Sequence, residues 1–250
     1  SRGLGDVYKR QGLSKEQKSL YSKTVEDTLD AIARAPRGQR HGQVLGLLTR
    51  LKQICNHPAL ALSENAVDDG FLGRSAKLQR LEEILDVVME AGDRALLCTQ
   101  FAEWGHLLQS WMQQRWKADV PFLHGGTRNS ERQAMVDRFQ EDPRGPQLFL
   151  LSLKAGGVGL NLTRASHVFH IDRWWNPAVE NQATDRAYRI GQTNRVMVHK
   201  FITSGSVEEK IDRMIREKSR LAEDVIGSGE DWLGSLAGDQ LRNLVALEDT

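Results

Sequence analysis

The chain reads as an α/β protein, a parallel sheet with helices on both faces. Short continuous apolar runs, among them Leu148 to Leu151 and Val168 to Ile171, have the length and uniform character of strands buried on both sides. Between such runs lie stretches of helical periodicity, of which Leu78, Leu81, Ile84, Leu85 and Val88 form the clearest stripe. Polar and glycine-rich segments directly follow several of the runs, where strands of such a sheet end and ligands gather.

Taken in order, residues 1 to about 35 read as polar helix. Leu13-Ser14 before Glu16-Gln17 resembles a helix start, and Tyr21, Val25 and Leu29 recur every four residues. Pro36 to Gly42, PRGQRHG, reads as a loop. Its Arg37, Arg40 and His41 could touch DNA, although a solvated loop is the simpler reading. Val44 to Ile54 is a second periodic helix, ending near His57-Pro58, and residues 61 to 74 read as loop. His57 has no Cys or His at ligand spacing, so no metal site is expected there.

Ser75 can cap the helix that carries the Leu78 stripe. A strand from Arg94 to Cys98 follows, ending at Thr99-Gln100-Phe101, then a helix marked by Trp104, Leu107, Leu108 and Trp111. Phe122-Leu123 is a short strand, Glu131 to Phe139 a helix, and residues 147 to 151, 168 to 171 and 196 to 201 are further strands. Ser206-Val207-Glu208-Glu209 has the form of a capping box opening a C-terminal helix. In that helix Val207, Ile211, Met214, Ile215 and Leu221 face inward, and Lys210, Arg213, Arg216, Lys218 and Arg220 make a basic side. Asp239 to Leu247 is a possible last helix, with Leu241, Leu244 and Val245 docking on the core.

Composition excludes several classes. The 250 residues carry a net charge of +1, so DNA binding would rest on local patches and backbone amides. Two cysteines, Cys55 and Cys98, cannot make a metal site or a disulfide framework, and both read as small buried hydrophobes. No apolar run approaches the length of a membrane span, and no signal peptide is recognisable.

Two segments carry chemistry. In Gln147 to Asn161, QLFLLSLKAGGVGLN, a strand runs into Ser152, Lys154 and the glycines Gly156, Gly157 and Gly159. Glycines at a strand tip permit tight turns and leave N–H groups free to face an anion. No GxxxxGK[ST] or GxGxxG occurs. In Gln182 to Gln192, QATDRAYRIGQ, a helix would put Gln182, Arg186 and Arg189 on one face. Arginine's rigid fork of donors suits phosphate oxygens, so this face could clamp phosphate; a solvated helix face is the alternative.

LSLKAGGVGLNLTRASHV (Leu151 to Val168), DRWWNP (Asp172 to Pro177) and QATDRAYRIGQ resemble the last motifs of the SWI2/SNF2 family of DNA-dependent ATPases, in superfamily 2 of the helicases. LKQICNHP (Leu51 to Pro58), AKLQRLEEIL (Ala76 to Leu85), LLCTQF (Leu96 to Phe101) and LHGGT (Leu123 to Thr127) resemble the same family in the same order. The resemblance implies a RecA-like sheet at 75–205, an N-terminal helical protrusion with its linker at 1–74, and a C-terminal brace helix and tail at 206–250. It also implies that the chain is the second of two lobes, cut from a longer protein, with ATP and Mg2+ bound mainly by the first. On that expectation the chain alone turns nothing over.

The family further implies roles by position. Arg186 and Arg189 are arginine fingers, Gln182 orients phosphates or water, and Asp185 holds the Arg186 fork. Gly157 and Gly159 lie near the nucleotide, the glycine loop coupling nucleotide to DNA. Thr99, His124, Gly125, Gly126, Thr127, Ser152 and Lys154 line the DNA track. His124 lacks a partner for acid–base work and reads as structural or phosphate-contacting; Trp174 and Trp175 could stack on bases, but packing is the simpler reading. Implied partners are double-stranded DNA and the first lobe, with no membrane and no obligate oligomer. The family implies cytoplasmic, nucleoid-associated work in a prokaryote or a nuclear setting in a eukaryote, and the compact loops suggest a bacterial or archaeal member. Two rivals stay open: a non-catalytic DNA- or protein-binding module on a RecA-like fold, and a strand-separating helicase.

Overall fold

A computed structural model of the chain describes residues 4–152, 160–188, 195–221, 231–236 and 238–248. Among them six strands form one sheet: β1 Leu4–Gln11, β2 Ala95–Thr99, β3 Phe122–Leu123, β4 Leu148–Ser152, β5 His167–His170 and β6 Val196–Thr203. The order is β1-β6-β5-β2-β4-β3 and every pairing is parallel. The helices are α1 Lys15–Arg34, α2 Arg37–Asn56, α3 Pro58–Leu62, α4 Ala76–Glu90, α5 Ala102–Trp116, α6 Asn129–Glu141, α7 Pro177–Thr184, α8 Val207–Leu221, α9 Asp231–Gly234 and α10 Gly238–Val245. None of the described helices is long and apolar enough to cross a membrane.

Strand side chains alternate between the two faces, which divides the core. Ala95, Leu97, Leu148, Leu150, Phe169 and Phe201 pack with Leu78, Leu81 and Leu85 of α4 and with Trp104, Leu108 and Trp111 of α5. Leu96, Cys98, Phe149, Leu151, Val168 and Val198 meet Val136 and Phe139 of α6 and Ala183 of α7 on the other face. Each Leu, Val or Phe side chain among them, fully buried, is worth about 1.5–3 kcal/mol against exposure. A third apolar cluster joins α1, α2, α8 and α10 through Tyr21, Leu51, Ile54, Val207, Ile211, Leu241 and Leu244. The N-terminal helices and the C-terminal helices thus share one core.

Local signals explain several boundaries. Ser14 accepts from the Gln17 N–H at 3.1 Å while the Gln17 side chain accepts from the Ser14 N–H at 3.0 Å, a complete capping box. Ser75 caps α4 through the Leu78 N–H, and its hydroxyl donates to the Asn56 carbonyl.

Four expectations are corrected. Residues 4–11 are not helical; they form β1, which pairs with β6 from Leu4↔Val196 to Gln11↔Thr203 and joins the main sheet. The segment has few apolar residues, and pairing with a strand far along the chain decides its state. The PRGQRHG segment is not a loop. Pro36 sits at the N-cap, α2 starts at Arg37, and Arg40 donates to the Ala35 and Ala33 carbonyls at 2.9 and 3.2 Å. That capping of α1 offsets the poor helix propensity of Gly38 and Gly42. Residues 182 to 192 are not one continuous helix, since α7 stops at Thr184. Last, Glu209 accepts from the Gly205 N–H instead of the Ser206 N–H, while the Ser206 hydroxyl does accept from the Glu208 N–H.

Candidate functional site

The carboxyl ends of the central strands bring many of the candidate residues together. Thr99 and Ser152 are register partners at the tips of β2 and β4. His124 to Thr127 follows β3, the next strand along. Gly125 and Gly126 are exposed there. His124 Nδ1 accepts from the Gly126 N–H at 3.2 Å, so the neutral ring carries its proton on Nε2. Burial, then the nearby His106 and Arg132, holds the His124 pKa below the ordinary imidazole value. The Thr127 hydroxyl accepts from the His124 N–H at 3.0 Å and closes this turn.

Thr99 departs from the expectation of an open contact. It is 0% exposed and its hydroxyl donates to Asp172 Oδ2. Ser152 is buried as well. Their side chains shape the strand tips from within.

Beneath those tips lies a buried polar network that motif spacing did not single out. Asp172 accepts from Thr99, from the Gln100 N–H at 2.9 Å and from Asn56 Nδ2 at 3.3 Å. Burial pushes the Asp172 pKa up, opposed by the Thr99 and Gln100 donors and by the nearby Lys77 and Lys52 ammonium groups. Asn56 also accepts from Lys77, whose ammonium lies 3.0 and 2.9 Å from the two oxygens of Glu208. Lys52 donates to Gln100 Oε1 at 3.3 Å and sits 3.6 Å above the Trp175 ring. The network ties α2, α4, the tip of β2, the segment after β5 and the start of α8 into one unit. One signal for it was present: Leu48, Lys52 and Asn56 follow at intervals of four, so the polar pair shares the buried face of α2. Trp175 is buried against Lys52, as the packing reading expected.

The segment bearing Gln182, Asp185 and Arg186 is positioned from two sides. Asn176 caps α7 through the Ala178 N–H with Pro177 at the first helical position. Arg173 donates from Nε to Glu180 of α7 at 2.6 Å and from Nη1 to Asp212 of α8 at 2.5 Å. Burial alone would lower the Arg173 pKa; the two carboxylates reverse that and raise it. On the inner side the Thr184 hydroxyl donates to the Glu180 carbonyl, so it accepts from His170 Nε2 at 3.0 Å.

Past the helix the chain makes a further turn, the Arg186 and Ala187 N–H groups donating to the Ala183 and Thr184 carbonyls. Gln182 and Asp185 are exposed, whereas Arg186 is 8% exposed and burial lowers its pKa. Its carbonyl accepts from the Leu162 N–H at 2.9 Å, joining this turn to the segment just after the glycine loop. Arg189, Gly157, Gly159 and Lys154 lie outside the described residues. Cys55 and Cys98 are free and buried, and burial pushes both thiols up to about 12.

A parallel sheet with this order and polar strand tips has the α/β architecture of a helicase C-terminal domain. The model of the helicase conserved C-terminal domain matches residues 76–191. The Sulfolobus solfataricus SWI2/SNF2 ATPase C-terminal domain superposes with a TM-score of 0.83 at 35% identity, over 98% of this chain and 100% of that one. The same organism's SWI2/SNF2 ATPase core in complex with dsDNA matches at 36% identity and TM-score 0.86, over 99% of this chain and 51% of that one. A putative ATP-dependent helicase/translocase of Bacillus subtilis, YwqA, is 46% identical over 238 residues, 95% of this chain and 25% of the relative. The chain belongs to the SWI2/SNF2 family of ATPases. It spans a quarter of the length of YwqA and about half of the Sulfolobus core.

Proposed function

We propose that this chain is the C-terminal motor lobe of an ATP-dependent translocase on double-stranded DNA. The carrying observation is Arg186: a guanidinium desolvated in the turn after α7, its backbone tied to Leu162 just after the glycine loop and the preceding helix clamped to α8 by Arg173. The DNA complex of the Sulfolobus core supports the choice of substrate.

Bound ATP and Mg2+ supply the phosphoryl group and the charge that orients it. On this reading they are held mainly by the first lobe, in keeping with the lack of a GxxxxGK[ST] loop in these 250 residues. Arg186 and Arg189 approach the transferred phosphoryl from this side and neutralise charge as it develops. A desolvated guanidinium acts more strongly on developing charge than one in water. Gln182, exposed one turn before Arg186, orients phosphate or water, and Asp185 limits the positions open to the fork. Gly157 and Gly159 bring backbone close to the nucleotide.

DNA lies along the strand tips. His124 offers its Nε2 proton, and Gly125 and Gly126 their exposed backbone, to phosphate oxygens. Lys154 adds charge, while Thr99, Thr127 and Ser152 keep these turns in place. Such contacts fix register without reading bases, so little sequence preference is expected. Alternate closing and opening against the other lobe then becomes a step along the duplex.

The test is ATP hydrolysis with duplex DNA by this chain alone and after addition of a separately produced first lobe. Activity only in the mixture, lost with Arg186→Ala, supports the reading. Robust hydrolysis by the chain alone overturns it.

A further inference from the structure

A polar cleft of about 840 Å3 runs along the opposite, amino-terminal edge of the sheet. It is built from the turn between α4 and β2, the loop between α6 and β4, the segment entering β5, and Arg195 just before β6. These are the entries of four consecutive strands in the order β6-β5-β2-β4.

Four arginines line it, Arg94, Arg144, Arg164 and Arg195, against the carboxylates of Glu90 and Asp93. Two of the four are fixed. Arg94 is 7% exposed and donates to the Phe139 carbonyl and, at 2.6 and 3.3 Å, to those of Asp142 and Pro143. Arg164 donates to the Gln140 and Asp142 carbonyls at 3.0 and 3.2 Å. Both thereby cap the C-terminal end of α6, and their charges lie close enough to repel, adding to the burial that holds Arg94 below the ordinary guanidinium value. Arg144 and Arg195 are exposed.

Among the described residues none of the four forms an ion pair with a carboxylate, whereas Arg74, Arg115, Arg138 and Arg173 all do. Of the two acids, Asp93 is already engaged by His167 Nε2 at 3.2 Å. With Glu90, Asp93 and the neighbouring Asp142 the carboxylates are still fewer than the four guanidinium groups, so the concavity keeps an excess of positive charge. Guanidinium forks match phosphate oxygens in shape and charge.

We propose that this cleft binds a phosphoryl-bearing anion, gripped by Arg144 and Arg195 over the fixed floor of Arg94 and Arg164. The anion is either a backbone phosphate of nucleic acid or a free phosphate species. The site is independent of the Arg186 turn, and its test does not require ATP hydrolysis.

The experiment titrates inorganic phosphate, and separately a short DNA duplex, into the chain while following the amide resonances of Gly92, Ser166 and Arg195. Saturable shifts with phosphate are expected, abolished in the Arg144→Ala, Arg195→Ala double variant and retained in Arg186→Ala. If the duplex moves the same amides, and the double variant flattens the salt dependence of DNA binding by about one to two phosphates' worth, the source is a nucleic-acid backbone. If inorganic phosphate alone moves them, the ligand is a small phosphate species. No saturable shift with either probe, or equal shifts in the double variant, overturns the proposal.

Discussion

Lys77 and Glu208 form a buried ion pair between α4 and α8, with the ammonium 3.0 and 2.9 Å from the two carboxylate oxygens and the side chains 3% and 0% exposed. The pair is satisfied all round: Lys77 also donates to Asn56, and Glu208 accepts from the Thr203 N–H at 2.9 Å. Removing one partner strands the other charge in a dry site. Glu208→Ala should cost about 3–5 kcal/mol, and Glu208→Gln less, because an amide oxygen still accepts from Thr203. Lys77→Met combined with Glu208→Leu should cost less than Glu208→Ala, since no charge is left unpaired. Urea unfolding of the variants measures this; equal losses for the single and double variants would contradict it.

Gly105 lets α5 approach β3. A Cβ there would lie 2.1 Å from Phe122 Cζ, with the rest of that buried ring also in the way. Gly105→Ala should therefore destabilise by about 1–3 kcal/mol despite alanine's better helix propensity. Adding Phe122→Leu should recover part of the loss, and a thermodynamic double-mutant cycle would show the interaction.

Stability should fall on mild acidification. His57, His170 and His199 are buried as neutral rings, with pKa values lowered from 6.5 to about 4, about 3 and about 4, burial being the largest cause each time. Between those values and 6.5 the unfolded chain binds more protons than the folded one. Their contribution is thus full above pH 6.5 and is lost progressively as pH falls towards 4. Each should remove about 1–2 kcal/mol between pH 7 and pH 5. Asp172, pushed up by burial, works in the opposite sense and offsets part of this. The urea midpoint at the two pH values is the readout, and a midpoint that rises or stays fixed at pH 5 would count against the buried neutral rings.

Most elements were legible because their signals are local. Ser14 with Gln17, Ser75 before the Leu78 stripe, and the uniform runs of β2, β4 and β5 each lie within one short window. Strand β1 was hidden because Asp6, Tyr8 and Arg10 are exposed and its partner β6 comes near the other end of the chain. The start of α2 was hidden because Arg40 supplies caps to α1 that no propensity records. At the site, the polar strand tips could be read from position. That Thr99 turns its hydroxyl inwards could not, since Asp172 lies on another strand's exit. The buried network was overlooked because Lys52, Lys77, Asp172 and Glu208 are residue types whose usual place is in water.

The central claim is that Arg186 acts on the nucleotide and not on DNA. Its most direct test places Arg186→Ala in a polypeptide carrying both lobes and measures ATP hydrolysis at saturating duplex DNA together with DNA affinity. The account predicts a fall in kcat of about a hundredfold or more, with DNA affinity nearly unchanged. Full kcat at saturating DNA, with weaker DNA binding and a flatter salt dependence, would contradict it and make the arginine turn a DNA contact.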